Sequence, residues 1–174
     1  MTAQEPISKS LHDAHCAALN EVNRWRGSCV DKYSRAEAAL RKAIKVILAH
    51  SDGAALKQPS LFGQHVEVMT AAIAADGPFG QSGSKARDAL ASCAEGFALR
   101  NIVTHAVGSV WLDRREKWLW RYEFQPSGKG KALVIGSLKQ KDALKLEQDL
   151  RSSVHSLEEH LENLIGSLLP PQAR

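Results

Sequence analysis

Six consecutive residues near the middle of the chain, Arg100-Asn101-Ile102-Val103-Thr104-His105, put a guanidinium, an amide, a hydroxyl and an imidazole within two helical turns. Histidine titrates near neutrality and can take or give a proton, whereas arginine stays charged and grips phosphate oxygens with a planar fork. Cutting RNA without a metal asks for these groups. A base takes the 2′-hydroxyl proton, an acid protonates the leaving 5′-oxygen, and positive charge steadies the pentacovalent phosphate. One copy of the motif holds a single imidazole. A twofold dimer would bring two His105 and two Arg100 into one cleft, enough for both proton transfers.

On a helical wheel with Leu99 at zero, Ile102, Val103, Ala106 and Val110 fall within about 60° of it and form the stripe expected to face a core. Arg100, Asn101, Thr104 and His105 fall on the other side. Cys93, Ala94, Ala98 and Gly108 are small residues on that same face, and Phe97 is its one apolar anchor. This predicts a shallow trough for a second backbone, and the dimer axis is expected there.

The string, with Leu99 before it and Ala106 to Gly108 after it, resembles the Arg-Asn-x-x-x-His signature of the HEPN superfamily. The resemblance implies a compact helical bundle acting as a metal-independent endoribonuclease, with no cofactor and with RNA as its partner. It implies a homodimer in which two signatures meet, with His105 as general acid/base, Arg100 as phosphate clamp and Asn101 as a positioning hydrogen-bond partner. It further implies a toxin or defence effector held in check by an inhibitory partner protein. One branch of the superfamily carries a tyrosine two residues after the histidine, which a nucleotidyltransferase antitoxin modifies. Val107 stands there in this chain and argues against that particular control. A competing reading is a catalytically inactive helical-bundle module that binds RNA or protein through the same face. The intact Arg100, Asn101 and His105 favour the enzyme.

The elements that must hold this motif read as helices. Leu11, Ala14, Ala18, Val22 and Trp25 recur at helical spacing to about Arg26, where Gly27-Ser28 predicts a break. A second helix is expected from Val30 to His50, with Ser51-Asp52-Gly53 as its stop. Ser60 is expected to cap a shorter helix reaching about Ala75. Asp76 to Gly83 reads as a flexible connector: no strand precedes its glycines and no Gly-Lys-Ser/Thr follows, so it is not a phosphate cradle. The motif helix is predicted from Ser84 to Leu112.

The period then changes to two, with Trp118, Trp120, Tyr122 and Phe124 alternating with Lys117, Leu119, Arg121 and Glu123, and predicts a strand. Gln125 to Gly130 is a turn, and Ala132 to Gly136 its expected antiparallel partner. Ser137-x-x-Gln140 reads as a capping box for a last helix that Pro170-Pro171 ends. The expected fold class is all-α: an antiparallel four- to five-helix bundle with a β-hairpin inserted at 114–136 before the last helix. It is read as one domain over 1–174, with 1–8 as a flexible lead.

Besides Thr104, the hairpin's Arg114, Arg115, Lys117, Arg121 and Lys129 are candidate RNA contacts. Trp118, Trp120 and Tyr122 could stack bases. Packing against the bundle is the preferred role for them, because a two-stranded hairpin needs an apolar backing. His12, His15 and Cys16, and likewise His155 and Glu159, have ligand-like spacing but no full set of four, so no metal is expected. Lys139, Lys141 and Lys145 read as a solvated face.

Composition sets the outer bounds. The chain has 174 residues, enough to bury a core, and a formal charge of +4 that permits a polyanionic partner without requiring one. Cys16, Cys29 and Cys93 are odd in number and lack a Cys-x-x-Cys pair, which fits a reducing cytoplasm. No stretch approaches the ~18 apolar residues of a membrane span, and no secretion signal or membrane partner is expected.

Overall fold

The computed structural model describes residues 5–50, 56–128 and 130–169. Among these, helices α1 (Glu5–Ala49), α2 (Phe62–Ile73) and α3 (Ser84–His105) precede strands β1 (Val107–Leu112), β2 (Trp118–Phe124) and β3 (Val134–Lys139), and α4 (Gln140–Leu168) follows. The protein is mostly helical with a three-stranded antiparallel sheet in the order β1-β2-β3, not the all-α bundle with a hairpin that was expected. No described helix is long and apolar enough to cross a membrane.

The predicted break at Gly27-Ser28 does not occur. Buried Ala18, Val22, Trp25, Cys29, Tyr33, Ala36 and Leu40 step by three or four straight through it, so the apolar stripe never loses phase. Gly27 costs about 1 kcal/mol relative to alanine, too little to outweigh burial along both flanks. The helix already begins at Glu5, inside the expected lead. The stop at Ser51-Asp52-Gly53 and the Pro170-Pro171 terminator lie outside the described residues.

The chain divides into two compact units, Met1–Val30 with Ala98–Asp149, and Asp31–Phe97 with Leu150–Arg174. In the second unit α2 and α3 run antiparallel: Phe62 packs edge-on against Phe97 at 4.8 Å, and Arg87 donates to the Ile73 carbonyl at 3.3 Å. Leu61, not Ser60, is the N-cap of α2, and Gln64 reaches back to accept from the Ser60 and Leu61 amides. The connector between α2 and α3 is packed rather than flexible. Phe79 is buried in it, and a Cβ on Gly77 or Gly80 would collide with carbonyls of residues 71–75. Close backbone approach explains these glycines.

α1 and α4 are parallel in both units, which corrects the expected antiparallel packing. Ascending partners show this: Trp25 with Ala143 and Ser28 with Glu147 in the first unit, Arg35 with Glu158 and Lys42 with Glu162 in the second. An odd number of strands between α3 and α4 is compatible with that return.

The first unit carries the sheet and the end of α3. β1 occupies what was predicted as the last turns of the motif helix. Val110 satisfies both a four-residue step from Ala106 and a two-residue alternation with Leu112, and the alternation wins because Val107, Gly108 and Val110 are poor helix formers. β3 likewise takes Ser137, which therefore caps nothing; Leu138 sits opposite Trp120. Trp118 and Trp120 are buried against Trp25, with ring centroids 6.1 and 5.7 Å away, as preferred over the stacking role. Trp25 donates to the Ala143 carbonyl at 2.9 Å, and the Glu21 carboxylate accepts from both Trp118 and Gln140. These contacts assign the two sheet faces. Gly108, Val110, Trp118, Trp120, Tyr122 and Gly136 line the inner one, and a Cβ on Gly136 would lie 2.5 Å from the Tyr122 ring.

Candidate active site

Arg100, Asn101, Thr104 and His105 occupy the last turns of α3. Val103 and Ala106 are buried, while Asn101, Thr104 and His105 are exposed and Arg100 is half-buried, so the wheel is right about which face turns away from the core. Residues four apart stack on a helix surface with Cβ atoms about 5–6 Å apart. Asn101 and His105 form one such pair and Arg100 and Thr104 the other. The Thr104 hydroxyl donates to the Arg100 carbonyl at 2.7 Å, which engages its proton within the helix and leaves its lone pairs for a ligand.

The helix end itself is fixed by a residue that the motif does not contain. Arg26 of α1 donates from Nε to the Val103 carbonyl at 3.0 Å and from Nη2 to the Ala106 carbonyl at 3.2 Å. Its guanidinium lies 5.0 Å from the Trp120 ring centroid, and partial burial lowers its pKa from the ordinary value. Helix C-termini leave carbonyls without intrahelical donors, and a cation there also matches the macrodipole. Arg26 thus sets the point where α3 stops and β1 begins, immediately after His105.

The trough of small residues is not there. Cys93 is buried, with its thiol pushed up to about 11 by desolvation, and Phe97 is spent on Phe62. Gly108 belongs to β1, where Trp120 fills the space beside it. Ala94 is exposed, and the Ala98 side chain lies outside what is described. Helical spacing fails here because one stretch is core and another is strand.

The basic candidates separate by position in the sheet. Arg121 is exposed and lies opposite Ser109, one two-residue step from Val107, hence near the motif end of the sheet. Arg114, Arg115 and Lys117 are exposed in the β1–β2 turn at the far end of β1, about 20 Å along the strand from its start. Lys129 lies outside the described residues. The Asp113 carboxylate orders the turn by accepting from the amides of Arg115 at 2.7 Å and Lys117 at 2.9 Å. Those donors hold its carboxyl below the ordinary range.

Among the described residues no three histidine, cysteine or acidic groups gather as a metal site; Cys16 and His12 approach to 3.6 Å, without a further ligand. Two functional candidates escaped the sequence reading. Arg26 has no local signal, because its partners lie 77 and 80 residues away. Trp111 was hidden by its placement in a helix; it is 55% exposed on the outer sheet face. No family model, curated protein or solved structure matches the chain.

Proposed function

We propose that the protein is a HEPN-like endoribonuclease that cleaves RNA by acid/base transesterification without a metal. The observation that carries this reading is the exposed Asn101-His105 pair beside Arg100 at a helix end anchored by Arg26. The 2′-oxygen attacks the adjacent phosphorus as an imidazole takes its proton. The bond to the 5′-oxygen breaks as a second imidazole protonates it, leaving a 2′,3′-cyclic phosphate and a 5′-hydroxyl. Arg100 neutralises the developing charge and Asn101 orients His105.

The second imidazole comes from His105 of another copy in a twofold dimer. We place the interface against the exposed end of α3, at Asn101, Thr104 and His105, because Cys93, further back on that helix, is buried. A toxin or defence role under an inhibitory partner belongs to the same reading.

Purified protein is expected to cut single-stranded RNA in EDTA and leave cyclic phosphate ends. His105→Ala should lower the rate by roughly 10²–10⁴ with an unchanged helical circular-dichroism spectrum. Undiminished cleavage by that variant would overturn the assignment. Cleavage absent from the wild-type chain would favour the non-catalytic module.

A further inference from the structure

The outer face of the sheet carries an arrangement that the motif does not use. Cross-strand register puts Ser109, Arg121 and Ser137 in one row and Trp111, Leu119 and Lys139 in the next. Ser109, Trp111, Arg121, Ser137 and Lys139 are all exposed. Neighbouring strands lie about 4.8 Å apart, so each row spans about 10 Å, and Trp111 is a diagonal neighbour of Arg121. Trp111 is held in place: its indole N–H donates to the Ser109 hydroxyl at 3.0 Å.

We propose that this face binds single-stranded RNA, with a base stacked on Trp111, backbone phosphates on Arg121 and Lys139, and ribose or phosphate oxygens on Ser109 and Ser137. The inference rests on the ribonuclease reading for its choice of RNA, and it supplies that reading with a substrate-binding surface. Charge complementarity favours this occupant. The middle row is a cation flanked by two hydroxyls, every side chain in it a hydrogen-bond donor, and Lys139 adds charge beside the aromatic. Glu123 is the one acidic side chain of the strands on this face, and it separates the exposed Val107 from Ile135. A continuous apolar patch, as an interface between copies needs at its centre, is therefore interrupted. An exposed ring beside arginine and lysine on an open sheet is what unpaired nucleotides use, because every base has a face to stack. The RNA-facing aromatic is thus Trp111, and the buried Trp118 and Trp120 support the sheet from behind.

The test is fluorescence anisotropy of the full chain with a short, labelled 2′-O-methyl oligoribonucleotide, which lacks the nucleophile and cannot be cut. Trp111→Ala should weaken binding roughly tenfold or more, and Trp111→Phe should recover most of the loss. Arg121→Ala and Lys139→Ala should each weaken binding and reduce the slope of log K against log salt by about 0.7. Lys45→Ala, exposed on α1, should change neither. Binding by Trp111→Ala equal to wild type would overturn the proposal. So would a Trp111→Ala chain that sediments at a lower mass, because the face would then be a contact between copies. Cleavage is scored separately. RNA bound through Trp111 but not cut keeps the platform and sinks the nuclease, whereas cleavage indifferent to Trp111 does the reverse.

Discussion

The Val103 and Ala106 carbonyls lie where α3 can no longer supply donors, and Arg26 answers both from another helix. Lysine cannot copy this: it offers a point charge in place of a planar fork. Arg26→Ala should destabilise the chain by about 1–2 kcal/mol in urea unfolding, since it removes two charge-assisted bonds at a half-buried position. Arg26→Lys should recover only part of that. In the reaction we propose, Arg26 would act as a positioning residue, because it touches the helix end and not the reacting phosphate. Its loss should lower kcat more than it raises KM, while His105→Ala leaves the unfolding midpoint in place. Among single residues, the motif was legible from type and spacing because all its members sit on one short helical segment. Arg26 was not, because only the folded chain brings residue 26 to residue 103.

Within elements, the β1–β2 turn is the part most open to test. Asp113 accepts two backbone N–H bonds there, and Glu116 adopts a left-handed φ of 57°. A non-glycine residue in that region is strained, so Glu116→Gly should raise stability by up to about 1 kcal/mol in thermal unfolding. Asp113 works through its charge. Its folded pKa is lowered, first by the Lys117 amide and then by that of Arg115, so its contribution is present above the ordinary carboxylate range and fades as pH falls through the folded value. Asp113→Ala should therefore melt below wild type at neutral pH, and the two should converge in acid below about pH 4. Convergence at neutral pH instead would remove the carboxylate from the account. Most helices and β2 were legible because their apolar residues keep one period throughout. β1 was not: Val110 fits both periods, so Trp111 was drawn into a helix and its exposure on a sheet could not be foreseen.

Across the whole molecule, the net charge of +4 gains meaning only from where the cations stand. Arg100 lies in the motif and Arg121 near the motif end of the sheet, but Arg114, Arg115 and Lys117 lie a strand length away. The turn cations are remote from the motif but adjoin the Trp111 end of the sheet, so their loss should weaken RNA binding to that face and reduce its salt dependence while changing the cleavage rate at saturating RNA little. Chain count is the deeper question, because the transesterification we propose needs two proton transfers and each chain brings one motif imidazole. The dimeric cleft we propose makes a quantitative demand on mixtures. When wild-type and His105→Ala chains are combined in equal amounts and allowed to exchange at fixed total concentration, random pairing leaves about a quarter of the dimers with both imidazoles. Activity should then fall to about a quarter of that of the pure wild type, measured as initial rate of cyclic-phosphate formation. Independent monomers would give one half. A value of one half, in a protein that sediments at twice 19.0 kDa, would mean that each chain holds its own complete site and that the second proton comes from a group other than the partner's motif.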